Sequence, residues 1–99
     1  MTKKEEKFFN KAKENGNEWY EKYTNSKMYN SKFWSRFLLI SRKELALNKE
    51  QLIERLNKKY FKKGFEELND LSIGELFYIL YKIKKGQAGG VAAVVVVAT

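Results

Sequence analysis

An all-α fold is predicted for this chain, a compact bundle of four or five helices over residues 1–85, and three observations predict it. The chain contains no Pro, and Lys, Glu, Asn, Leu and aromatic residues dominate, a balance that favours helix over sheet. Pairs of a Ser, Thr or Asn with a Glu or Gln three residues on recur before apolar stretches, and each is a capping-box signal. Between these signals the apolar residues fall at helical spacing. Ninety-nine residues suffice for one such core and fall short of two.

Thr2 and Glu5 open the first predicted helix, Lys3 to Glu14, whose short stripe is Phe8, Phe9 and Ala12, with Asn15 and Gly16 as the stop. Asn17 to Asn30 carries Trp19, Tyr20, Tyr23, Met28 and Tyr29, with turn formers at Thr24, Asn25 and Ser26, and reads as one short helix and a loop. Rings interleaved with Lys22, Lys27 and Lys32 could stack on unpaired bases; the plainer role is to cap a small core with polar atoms outward.

Ser31 is placed to cap a helix from Lys32 to Ala46. Phe33, Trp34, Phe37, Leu38, Ile40, Leu45 and Leu47 give it so much apolar surface that it should be the most buried element. Ser41 and Glu44 would also fit a capping box and a break, but the hydrophobic run across them favours an unbroken helix.

The organising segment is Asn48 to Lys85, two amphipathic helices with a loop between them. Asn48 with Gln51 and Ser72 with Glu75 mark the starts, and Gly64 and Gly86 the ends. Leu52, Ile53, Leu56 and Tyr60 form one stripe; Ile73, Leu76, Phe77, Leu80 and Ile83 form the other, and the two are expected to bury each other. Phe65, Leu68 and Leu71 make the connection an ordered plug. Phe77 to Tyr81 is apolar nearly all round, so a partner or the N-terminal helices must cover a second side. Residues 86–99 are a Gly/Ala/Val tail, foreign in composition to the body, too short to span a membrane, and expected to be extended or disordered.

Function is narrowed mainly by what is missing. Without Cys or His there is no thiolate site, no imidazole base and no common zinc ligand, and Asp70 is the only Asp. No enzyme, metal site or cofactor is expected. The N-terminus lacks a signal peptide's apolar stretch and no segment reaches a membrane span, so a cytoplasmic protein is the expectation.

A net charge of +8 would attract nucleic acid, anionic lipid or an acidic protein surface. Its densest clusters are Lys58, Lys59, Lys62 and Lys63 around Tyr60 and Phe61, and Lys82, Lys84 and Lys85 at the end of the last helix. Lysines at helix C-termini also complement the helix dipole, which accounts for each cluster separately. A steep helix crossing would bring the clusters together on one phosphate-binding face, whereas an antiparallel pair would separate them.

The string NKEQLIERL, Asn48 to Leu56, resembles the second helix of a SAP-type DNA-binding motif through Lys49, Leu52, Ile53, Arg55 and Leu56, without that motif's Gly-containing loop. The span Phe37 to Lys85 resembles a helical module of phage transposition regulators and phage recombination proteins. Leu45 and Leu47, the KEQL helix, Tyr60, the Leu68 to Ser72 turn and the helix from Glu75 carry that likeness. It implies a nucleic-acid-binding module of a phage or mobile element. The expected phosphate contacts are Lys58, Lys59, Lys62, Lys63, Lys82, Lys84 and Lys85, with Arg55 and Tyr60 at the edge of the surface. The rival expectation is a protein-interaction factor, such as a host-takeover or defence-inhibiting protein, docking a partner through Trp19, Tyr20, Tyr78 and Tyr81. A bundle like a bacteriocin-immunity protein, at an anionic membrane face, is the third.

Overall fold

Glu5, Phe9, Ala12, Gly16, Tyr20 and Tyr23 recur every three or four residues, so one stripe continues straight through Asn15–Gly16. The computed structural model describes residues 2–25 and 31–88, and in it this stripe forms a single helix, α1, Lys3–Asn25. The expected stop at Gly16 and the separate short helix after it are therefore corrected. Four more α-helices follow: α2 (Ser31–Phe37), α3 (Arg42–Leu45), α4 (Lys49–Arg55) and α5 (Ile73–Ala88). Among the described residues there is no strand, and the fold is the all-α bundle that the pattern predicts. The expected stop at Gly86 is passed by α5, while the expected extended or disordered tail, from residue 89, and Ser26 to Asn30 lie outside the described residues.

The helix expected from Lys32 to Ala46 is broken. Successive residues of an α-helix turn by about 100°, so an unbroken helix would point Leu38 and Ile40 roughly 200° apart. Here both are buried, because Leu39 takes a left-handed conformation (φ 62°) and turns the chain. The Trp34 carbonyl accepts from both Leu38 N–H and Ile40 N–H across the corner. Ser41 then caps α3 with the capping box its sequence advertises, Glu44 N–H to Ser41 Oγ and Ser41 N–H to Glu44 Oε1, both 3.1 Å. Local capping wins over the hydrophobic run because the run is better buried bent than straight. Phe37, expected in the core, is left exposed at the corner.

Asn48 and Gln51 form their expected reciprocal cap on α4. The helix then widens to π-helical turns at Leu56–Phe61. The wider turn brings Leu56, Tyr60 and Phe61 all inward, which regular α spacing would not do for the adjacent pair Tyr60–Phe61. It closes at Lys62, in a left-handed conformation (φ 55°), two residues before the glycine expected to end it. Phe65 N–H donates to Asn57 Oδ1, and the plug becomes a short 3₁₀ turn, Glu66–Asp70, with Phe65, Leu68 and Leu71 buried as expected.

The core is built round α5, which is buried at every position from Gly74 to Leu80. Its chief partner is α1 rather than α4, which revises the expectation that the stripes of the two C-terminal helices mainly bury each other. Two glycines set the approach. A Cβ at Gly16 would lie 2.7 Å from Glu75 Cα, and one at Gly74 2.8 Å from Tyr20 Cβ. Helices this close leave no room for a methyl group, so Gly16 is a contact rather than a terminator. Around the crossing, Tyr20 stacks on Phe77 and Trp19 on Tyr81, while Leu52, Leu56 and Trp34 fill the remaining core.

Candidate functional site

The basic surface is shaped by the π-helical turn. With Tyr60 and Phe61 drawn inward, Lys58, Lys59, Lys62 and Lys63 are left toward solvent. Lys58 is held by Glu54 one turn back, at 2.7 Å, an exposed pair that contributes little to stability. Lys59 lies with its ammonium 5.6 Å from the Tyr60 ring centroid. Lys62 is fixed in direction by its left-handed backbone. Lys63 reaches the buried Glu5 carboxylate at 3.4 Å, linking this turn to the start of α1.

Two open hollows flank this turn. One, of about 620 Å³, is lined by Glu54, Asn57, Lys58, Lys62, Lys63 and Gly64. The other, of about 330 Å³, is lined by Leu47, Gln51, Glu54, Arg55, Lys58 and Lys59. Arg55, expected at the surface edge, is half-buried and borders the second hollow. Among the described residues, Glu54 is the one carboxylate lining either hollow, and it is paired with Lys58.

Tyr60 is buried, as its place on the apolar stripe predicts, and so does not stand at the edge of the binding surface, its other expected place. It is 3% exposed, and its hydroxyl donates to Glu44 Oε2 at 2.7 Å. Lys84 is likewise drawn inward, since its Nζ binds Glu44 Oε1 at 2.7 Å and lies 5.8 Å from the Tyr60 ring. Burial pushes the Glu44 carboxyl up, but hydrogen bonds from Lys84, Tyr60 and the Ser41 N–H, with the Lys84 charge, outweigh it and hold the group at about 2. Burial, reinforced by the Glu44 carboxylate, pushes the Tyr60 phenol up.

This buried cluster ties α3, the π-helical turn and the end of α5 together. One lysine from each expected cluster, Lys59 and Lys84, lies within 6 Å of the Tyr60 ring. Lys82 and Lys85 lie 5.6 and 5.8 Å from the Tyr78 and Tyr81 rings, at the last turns of α5.

Trp19, Tyr20, Tyr78 and Tyr81 do come together, but as packing for the core. Trp19 stacks on Tyr81 and meets Tyr78 and Trp34 edge-on; Tyr78 is buried and the other three are half-buried. This is the core-capping role weighed for Trp19 and Tyr20, with less free aromatic surface than a docking face would offer.

Glu44 is the residue that sequence reading assigned only to a cap. Nothing local marks it as the ligand of Tyr60 and Lys84, which are 16 and 40 residues away. Among the described residues no group of three or more acidic side chains is placed to hold a metal, and no helix is long and apolar enough to cross a membrane. The fold and surface thus define a class, a small helical domain with a basic face. No protein-family model, curated protein or solved structure matches the chain, so the face has to be interpreted from its own chemistry.

Proposed function

We propose that this domain is a nucleic-acid-binding module, not an enzyme, that engages the phosphate backbone through the π-helical turn. The observation that carries the reading is the division of labour at that turn. Tyr60 and Phe61 face the core, whereas Lys58, Lys59, Lys62 and Lys63 line or adjoin two open hollows containing one paired carboxylate. Phosphate recognition needs cations presented in a fixed frame with few competing acids. Lys82 and Lys85 add positive charge on α5, and Lys84 serves the frame by neutralising Glu44. The resemblance of Phe37 to Lys85 to phage recombination and transposition modules supports a phage or mobile-element setting. The rival reading, docking of a protein through Trp19, Tyr20, Tyr78 and Tyr81, has less support because those rings are largely spent on one another.

Binding of labelled random-sequence duplex and single strands, titrated at two salt concentrations, tests the proposal. The native chain should show a steep salt dependence. Replacing Lys58, Lys59, Lys62 and Lys63 by Gln should weaken binding and flatten the slope by about one for each phosphate no longer neutralised. Absence of binding to every strand at low salt would refute the function, and an unchanged slope would refute these residues as the site.

A further inference from the structure

A second basic surface lies at the corner between α2 and α3. Between Glu21 and Glu44 the chain carries six cations, Lys22, Lys27, Lys32, Arg36, Arg42 and Lys43, and no carboxylate. Glu44, which ends that stretch, is buried and bound by Lys84 and Tyr60, so it does not offset the charge at the surface. Lys32, Arg36, Arg42 and Lys43 are all exposed.

Phe37 lies midway along this cationic stretch of the sequence. It is 61% exposed, and it is the only large hydrophobic side chain so exposed among the described residues. Phe33 supports it from the core side, with ring centroids 5.0 Å apart, and the Arg36 guanidinium lies 5.6 Å from its centroid. The left-handed backbone at Leu39 turns the chain so that Leu38 and Ile40 are buried while Phe37 is not. A non-glycine residue in that conformation is strained, and the strain here coincides with an aromatic ring held outside an otherwise well-packed core.

We infer that this corner is a single-strand platform, in which Phe37 stacks on an unpaired nucleobase while Arg36, Arg42 and Lys43 take the flanking phosphates. The inference rests on the nucleic-acid reading above and adds to it that the favoured ligand is single-stranded. Charge complementarity selects this occupant. One exposed ring with the Arg36 guanidinium beside it, on a stretch whose other exposed charges are all positive, suits the flat face of a base with its flanking phosphates, since every base offers a π-face and the backbone repeats its charge. A protein hot spot or a lipid-inserting face would present several neighbouring apolar side chains, and among the described residues Phe37 has none as exposed. Arg42 and Lys43 share α3 with Glu44, whose buried contact with Tyr60 ties that helix to the π-helical turn.

Fluorescence anisotropy with oligothymidylate, an abasic strand of equal length and a blunt duplex tests this on the full chain, with vesicles of phosphatidylserine and phosphatidylcholine as a further arm. Oligothymidylate should bind tighter than either other strand. Phe37→Ala should weaken it by about five- to a hundred-fold and leave the abasic strand nearly unchanged, while Phe37→Trp should retain it. The pair Arg42→Gln and Lys43→Gln should weaken all three strands and flatten their salt slopes. Because Phe37 is exposed, its variants should melt with the native chain, which separates weakened stacking from an unfolded domain.

Equal affinity for the three strands, or an equal effect of Phe37→Ala on base-bearing and abasic strands, would overturn the platform while leaving the phosphate-binding function standing. Vesicle binding that depends on Phe37, without a base-dependent strand preference, would assign the ring to lipid and overturn it as well. Failure to bind any strand would remove both proposals together.

Discussion

Glu44 is where a single side chain has the widest consequences. Its carboxylate is nearly inaccessible, yet it gathers the Lys84 ammonium, the Tyr60 hydroxyl and the Ser41 N–H, so neither of its oxygens is left without a partner. Because its folded-state value, about 2, lies below the ordinary 4.5, the cluster contributes stability that is fully present above about pH 4.5 and is lost as the pH falls toward 2. Glu44→Gln should therefore cost about 2–4 kcal/mol at neutral pH, somewhat under a fully buried pair because Lys84 retains some contact with water. Urea unfolding followed from pH 7 to pH 2 checks this: the native and Glu44→Gln curves should converge at the acid end. Parallel curves would show that the carboxylate is not the group being titrated.

Among the elements, the α1–α5 crossing is the most exacting. Gly in mid-helix is a poor helix former by about 1 kcal/mol relative to Ala, so by propensity alone Gly16→Ala should stabilise α1. The close approach predicts the reverse, because the new methyl would meet the Glu75 backbone, which cannot rotate away. Gly16→Ala is expected to lower stability by about 1–3 kcal/mol, read as a drop in melting temperature. Gly64→Ala, whose added methyl meets nothing within 4 Å, should have little effect. A stabilised Gly16→Ala would mean that the two helices do not approach this closely.

For the molecule as a whole, α5 acts as the hub, packed chiefly against α1, with side chains from α2, α4 and the π-helical turn completing the core. Leu56 and Leu80 lie in this shared core, both wholly inaccessible. Leu→Ala at either should destabilise the domain by about 2–5 kcal/mol and do so cooperatively, in one calorimetric transition. A variant that lost stability at one end only would argue for independently folding halves. The hub also ties α3 to the π-helical turn, since Glu44 binds both Lys84 on α5 and Tyr60.

The sequence by itself determined the helical class, the caps at Thr2, Asn48 and Ser72, and the burial of Leu56, Leu80 and the Phe65–Leu71 plug. It also located the exposed lysine run. These are local properties, because a cap needs a partner three residues away and a stripe needs only the helical period. Tertiary structure decided the rest. Gly16 stays helical because α5 lies against it, and the run from Lys32 to Ala46 bends because Leu38 and Ile40 are both buried only if Leu39 turns the chain. Tyr60 is buried and Lys84 withdrawn from the basic face because both reach a carboxylate on a distant helix. Each of these outcomes balances a small local cost, a mid-helix glycine, a left-handed leucine or a desolvated charge, against interactions made far along the chain. The sequence displays the cost and conceals the compensation, which exists only once α1, α3, the π-helical turn and α5 have met.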